Sequence, residues 1–186
     1  MRLVSRIVLI CVLCLTAGAA FAGKLKIKEE YDDFTKEMYL RSGNVTVCQP
    51  RSAGMVPCAT LRFEWRKSAS DMIIVHFETS GYTSLTGMAF NVDGNISSHD
   101  SVSPTTDLDY DSSLAQFAGL SGQSSSNLFL IPLSTLKAVT ESEENGIFRI
   151  TGTDGYANYD FYRKSGFGSI PADKLRDFVT RVESEK

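Results

Sequence analysis

Apolar and polar residues alternate with a period of two along much of the chain. In 59 to 66, Leu61, Phe63 and Trp65 alternate with Thr60, Arg62, Glu64 and Arg66, which predicts a strand with one face in the core and one in water. Met72 to Glu78 is a denser apolar run built from β-formers (Ile73, Ile74, Val75, Phe77) and predicts a more central strand. Thr86 to Val92 alternates again, with Met88, Phe90 and Val92 on one face. Asp93-Gly94 then supplies a two-residue hairpin turn, so the chain from Asn95 should run back antiparallel.

From about Ser97 to Ser126 the composition shifts to Ser, Thr, Asp and Gly, the pattern of a long surface excursion with a helical turn at Ser113 to Phe117. Asn127 to Pro132 reads as a strand. Ser134 is read as the N-cap of a short helix carrying Leu136 and Val139, which Asn145-Gly146 ends. Ile147 to Gly152 and Tyr156 to Tyr162 flank Thr153-Asp154-Gly155 as a second hairpin, with Phe148, Ile150, Tyr159 and Phe161 inward. Pro171 opens a last helix whose Leu175, Phe178, Val179 and Val182 recur at i, i+3, i+4 and i+7. The expected fold is mainly β: an antiparallel β-sandwich or strongly bent sheet of seven to nine strands, with a short internal helix and a C-terminal amphipathic helix.

Before this pattern begins, Arg2 and Arg6 precede a short apolar run, Ile7 to Leu15, and Ala20-Phe21-Ala22 matches the small-x-small cleavage pattern. The expectation is a signal peptide at 1–22 and a single β-rich domain at 23–186, directed to the periplasm or outside the cell. The apolar run is shorter than the roughly 20 residues that span a bilayer, so no stable membrane insertion is expected after cleavage. Removing the leader takes two arginines and no acid, which moves the formal charge from −3 to −5. Such a balance provides no electrostatic footprint for nucleic acid. Cys48 and Cys58 are then the remaining cysteines, and in an oxidising compartment a pair at this spacing, around Pro50, Gly54 and Pro57, predicts a disulfide.

Few residues carry a chemical signature. Ser134-Thr135-Leu136-Lys137 matches the S-x-x-K spacing of penicillin-recognising acyl enzymes, but the Lys-Thr-Gly strand of that chemistry does not occur. Asp107, Asp109 and Asp111 alternate like the start of a calcium loop, yet Ser112 stands where a glycine makes the turn and Ala118 where a glutamate closes the cage. His76 sits in a predicted strand and His99 in a polar loop beside Asp100, neither near a nucleophile in sequence. The Asn44 and Asn95 glycosylation triplets matter only in a eukaryotic secretory route.

Recognition is better served. With Tyr159 and Phe161 inward, alternation sends Tyr156, Asn158, Asp160 and Tyr162 outward, and tyrosine offers large contact area at low entropic cost. The sequence therefore predicts an exported, non-enzymatic interaction protein, inhibitor- or immunity-like, whose partner is a protein or other macromolecule of the cell envelope, with no cofactor. The alternatives are an acyl-transfer enzyme using Ser134 and Lys137, and a calcium-dependent adhesion or structural module.

Overall fold

The computed structural model describes residues 24–50, 57–81, 83–110, 122–142, 146–163 and 169–186. The expected leader at 1–22, the expected turn at Ser113 to Phe117 and Asp111 lie outside them. Eleven antiparallel strands form one sheet: β1 (Ile27–Asp32), β2 (Glu37–Ser42), β3 (Val45–Cys48), β4 (Cys58–Arg66), β5 (Met72–Ser80), β6 (Leu85–Val92), β7 (Asn95–Asp100), β8 (Asp107–Tyr110), β9 (Gln123–Pro132), β10 (Gly146–Gly152) and β11 (Gly155–Asp160). Among the described residues two α-helices, α1 (Leu133–Glu141) and α2 (Pro171–Glu183), accompany the sheet. The spatial order is β7-β6-β10-β11-β3-β4-β5-β9-β8, with the β1–β2 hairpin joined to β4 through β2.

The sheet curls into a half-barrel because its alternating apolar residues share one concave face. Phe63, Phe77, Phe90, Phe129, Phe148 and Phe161 all point there and are fully buried. Helix α2 packs its predicted stripe, Leu175, Phe178, Val179 and Val182, into this concavity, with the Phe178 ring 5.6 Å from that of Phe63. β2 and β3 act as one interrupted strand along β4. Their register shifts by one residue between Arg41↔Glu64 and Val45↔Leu61, and at the break the Phe63 N–H donates to the Ser42 hydroxyl.

The two flanks of the curl barely touch through backbone. β11 pairs with β3 only at Asp160↔Cys48, and at the other end of the order an isolated Ser101↔Phe129 bridge draws the chain after β7 onto β9. An aromatic cluster spans the first of these joints. Phe148 lies 6.2 Å from Phe77, 6.0 Å from Phe90, 5.1 Å from Tyr159 and 5.0 Å from Phe161. The Cys48–Cys58 disulfide is formed, across the end of the β3–β4 hairpin and beside the same joint.

Both Asp-Gly hairpins form as predicted. Asp93 (φ 51°) and Gly94 (φ 87°) take the left-handed conformations that a tight primed turn needs, and Gly155 (φ 122°) follows the Thr153-Asp154 turn.

Four expectations require correction. Three strands precede the one that contains residue 59, and the described residues hold eleven strands where seven to nine were expected. His99 lies in β7, its ring edge-on to Phe90 at 6.0 Å, and not in a loop. Pro132 occupies the N-cap of α1 with no side-chain cap hydrogen bond, so Ser134 is an exposed first-turn residue and not the cap. Ser134→Ala should accordingly change stability by no more than about 0.5 kcal/mol in chemical denaturation. A loss of 1 kcal/mol or more would restore the capping role. Finally, β11 ends at Asp160, so alternation stops before Tyr162. That half-buried ring turns toward α1, its hydroxyl against the carbonyl oxygens of Val139 and Ser142. Gly146 makes room for it, since a Cβ there would lie 3.0 Å from the Tyr162 ring.

Candidate functional site

The strands at one end of the sheet order, β7, β6, β10 and β11, carry their polar residues on the convex face in rows fixed by register. One row runs Ile96, Asn91, Ile147, Asp160; the next runs Ser98, Ala89, Arg149, Asn158; a third runs Asp100, Gly87, Thr151, Tyr156. Within them Ile96 is 72% exposed, Ile147 40% and Tyr156 65%, high values for apolar groups on an ordered sheet. Ala89 is small among larger neighbours. A depression of about 220 Å³ opens there, lined by Ala89, Asn91, Ile96, Ile147, Arg149 and Asn158.

Arg149 organises this face. Its guanidinium carbon stands 4.0 Å from the centroid of the Tyr156 ring, and its Nε donates to the Asn158 side-chain oxygen at 2.9 Å. Among the described residues it forms no ion pair. Asp160 is spent locally, its carboxylate accepting the Tyr162 N–H at 2.8 Å. Of the four residues expected on an outward strip, three are thus on the face: Tyr156 as an exposed ring, Asn158 as a buttress, Asp160 as a strand terminator. Ile96, Ala89, Ile147 and Arg149 were not anticipated. Alternation already implied two of them, because inward Phe148 and Ile150 send Ile147 and Arg149 outward.

A second concavity lies at the open mouth of the half-barrel, where β11 splays from the β3–β4 turn. It measures about 420 Å³, with Gln49 and Pro57 on one wall, Gly155 to Ala157 on the other, and Phe77, Leu85, Ile150 and Tyr159 toward its floor. The Tyr159 and Thr79 hydroxyls sit 3.5 Å apart, a weak contact. Gly152 keeps the mouth compact, since a Cβ there would meet the Thr83 hydroxyl at 2.7 Å and the Ser84 carbonyl at 2.8 Å.

Several other charged groups pair with one another around β4. Glu64, buried on the convex side of β4, accepts from Arg41 at 3.0 Å and Arg66 at 2.9 Å, and Arg66 also reaches Asp32 at 3.0 Å. With both oxygens engaged by guanidinium groups, Glu64 clasps the β1–β2 hairpin to β4. The Asp32 pKa is lowered to about 2, first by the Thr35 backbone N–H and then by Arg66. Tyr39 donates to Glu30 at 2.8 Å, and that bond pushes its phenol pKa up.

His76 lies beside this network with its Nε2 buried, 3.9 Å from Glu64 and without a hydrogen-bond partner among the described residues. Burial, with Arg62 adding to it, holds its pKa below the ordinary 6.5. The group stays neutral in the fold where it would charge in the unfolded chain. Its penalty therefore grows as pH falls below about 6.5 and levels off once the folded histidine protonates. His76→Gln should narrow the stability loss between pH 7 and pH 5, measured by urea unfolding at each pH. A wild-type-to-variant difference that does not move with pH would contradict this. His99 shifts in the same direction through burial and is common to both proteins.

The other candidates are dispersed. Lys137 is held by Glu183 at 2.7 Å and Glu141 at 3.9 Å, and the Glu183 bond raises its pKa, the opposite of what a general base at neutral pH requires. Ser-x-Asn triplets occur at 42–44 and 125–127 and a Tyr-x-Asn triplet at 156–158, but the Asn127 amide is committed to the Leu85 carbonyl at 2.9 Å. Asp107 and Asp109 are exposed on edge strand β8, opposite Ser126 and Ser124. Among the described residues no cluster of three metal-ligating side chains occurs, and no helix is long and apolar enough to cross a membrane.

No family model, curated protein or solved structure matches the chain.

Proposed function

We propose that the protein is an exported, non-enzymatic binding domain, inhibitor- or immunity-like, that engages a macromolecule of the cell envelope through the convex face of β6, β10 and β11. The observation that carries this reading is the grouping of exposed Ile96, Ile147 and Tyr156 around the Ala89 depression, with a guanidinium clamped on the tyrosine ring. Aromatic and arginine side chains dominate interface energetics, and here strand pairing has already fixed their backbone, which lowers the ordering cost of association. A cation without an acidic partner among the described residues favours a partner presenting a carboxylate or another anion against the face. The Cys48–Cys58 disulfide fits an oxidising compartment and so supports export.

The test is capture of an envelope partner by the tagged mature chain, alongside Ala89→Tyr and Arg149→Glu. Ala89→Tyr fills the depression and Arg149→Glu reverses the charge, while outward positions carry little of the core. Each should weaken retention of the same partner by at least about tenfold, or about 1.4 kcal/mol, with melting unchanged within about 0.5 kcal/mol. Full retention by both variants would refute the assignment of the face. The acyl-enzyme alternative would be favoured only if Ser134→Ala abolished function without affecting the fold.

A further inference from the structure

We propose that the depression over Ala89 receives a protein carboxyl terminus: the last residue of the partner's chain lays an apolar side chain between Ile96 and Ile147, and its terminal carboxylate accepts from the Arg149 guanidinium and the Asn158 amide. This deepens, and rests on, the reading of the convex face of β6, β10 and β11 as the binding face.

The donor set carries the inference. Among the described residues the polar side chains that line the depression are Asn91, Arg149 and Asn158. Their acceptor atoms are already spent. The Asn91 Oδ1 takes the Gly94 N–H at 3.0 Å in the β6–β7 turn, and the Asn158 Oδ1 takes the Arg149 Nε–H at 2.9 Å. Those two bonds also fix which end of each amide is nitrogen, since a nitrogen in either place would set donor against donor. What remains is the Nδ2 of each asparagine and both Nη of Arg149, none with an acceptor among the described residues. These side chains can donate and cannot accept. A continuing peptide brings one N–H for each C=O and would leave its donors unmatched there, whereas a chain terminus ends in two oxygens that only accept.

The apolar half of the site lies beside the donors. Ala89 pairs with Arg149 across the β6–β10 ladder, so the hollow and the root of the cation are on neighbouring strands, about 5 Å apart. A C-terminal residue carries its side chain and its carboxylate on one Cα and can serve both together. An internal Asp or Glu holds its carboxylate at the end of its own side chain, and the hollow would then fall to a second residue on the same face, about 7 Å along an extended chain. Exposed Ile96 and Ile147 flank Asn91 in register and wall the hollow, which suits a branched or aromatic terminal side chain. Arg149 is already held by the Tyr156 ring at 4.0 Å and by Asn158, so little of its freedom is left to lose when a carboxylate docks.

The probes are N-acetylated hexapeptides Gly-Ser-Gly-Ser-Gly-X with a free carboxyl end and X as Leu, Ile or Phe. Each is compared with its C-terminal amide and with the amidated peptide Gly-Ser-Glu-X-Gly-Ser, which holds an internal acid beside X. In NMR titrations of the isotope-labelled protein, the free-acid peptides should bind at least about tenfold more tightly than the amides, and the side-chain N–H signals of Asn91, Asn158 and Arg149 should shift with one common Kd. Arg149→Gln should bring the free acids down to the level of the amides. Asn158→Asp keeps the oxygen that Arg149 uses but sets a carboxylate against the guanidinium, and should weaken the free acids by at least about tenfold. Asp107→Asn, on edge strand β8, should leave them unchanged. The proposal is overturned if no free-acid peptide at millimolar concentration shifts these signals, if the amides bind equally, or if the Glu peptide binds as tightly, which would assign the donors to an acidic side chain. If Arg149→Glu and Ala89→Tyr weaken capture of the envelope partner while the free-acid peptides do not bind, the terminus proposal fails alone. If the peptides bind but neither variant alters capture, the convex-face reading fails alone.

Discussion

Phe148→Ala should destabilise the protein by about 3–5 kcal/mol, seen in chemical denaturation as a large fall in midpoint at nearly constant slope. Phe148 is fully buried, and its ring touches rings of β5, β6, β11 and the segment after β11. It stands where the two flanks of the sheet share a single backbone pair, Asp160↔Cys48. Packing must supply the cohesion that a ladder supplies elsewhere, so the cavity should be felt on both flanks. Neighbouring rings cannot collapse into it without losing their edge-on and stacked contacts. Phe34→Ala is the control, because that side chain is 97% exposed in the β1–β2 turn and should change stability by less than about 0.5 kcal/mol. Comparable effects from the two substitutions would contradict the role given to the aromatic cluster.

Replacing both cysteines by alanine should cost about 2–3 kcal/mol, the loop-closure entropy of so short a loop in the unfolded chain. The melting temperature should fall by roughly 5–10 °C. Location adds a second expectation. Cys48 is buried, and it is also the residue through which β3 meets β11, so loosening the β3–β4 end should let the Asp160 joint open before the rest of the sheet. Amide exchange near Asp160 should rise more than in β5 or β9. A variant with wild-type melting, or one whose exchange rises uniformly, would show that the disulfide does not hold this joint.

Much of the chain after residue 59 was legible because its core positions obey one period at a time. Met88, Phe90 and Val92, Phe148 and Ile150, and the α2 stripe are each buried as their spacing predicted. β1 was not legible, since Ile-Lys-Glu-Glu-Tyr-Asp lacks an apolar row, and the strand is held by backbone pairing and by Glu30 and Asp32 meeting arginines distant in sequence. Ser134 misled because a local capping preference was read where the exit of β9 at Pro132 sets the helix start. Tyr162 misled because alternation was extended past Asp160, where the chain leaves the sheet to reach α2. At the convex face the tyrosine was visible in the sequence, but Ile96 and Ala89 come from β7 and β6. Only the registers Asn91↔Ile96 and Ala89↔Arg149 bring them beside it.

Site-specific photo-crosslinking in cells that express the protein discriminates most sharply between a binding face on the convex side of β6, β10 and β11 and one elsewhere. A benzophenone amino acid would replace Tyr156 or Ile96 on the proposed face, and Tyr31 or Phe34 on the β1–β2 hairpin. Tyr31 and Phe34 are 50% and 97% exposed, so accessibility alone does not favour the proposed face. Binding through β6, β10 and β11 predicts one discrete adduct of the same mass from positions 156 and 96, lost when Arg149→Glu is added, and none from 31 or 34. Adducts from 31 and 34 with none from 156 and 96 would contradict it.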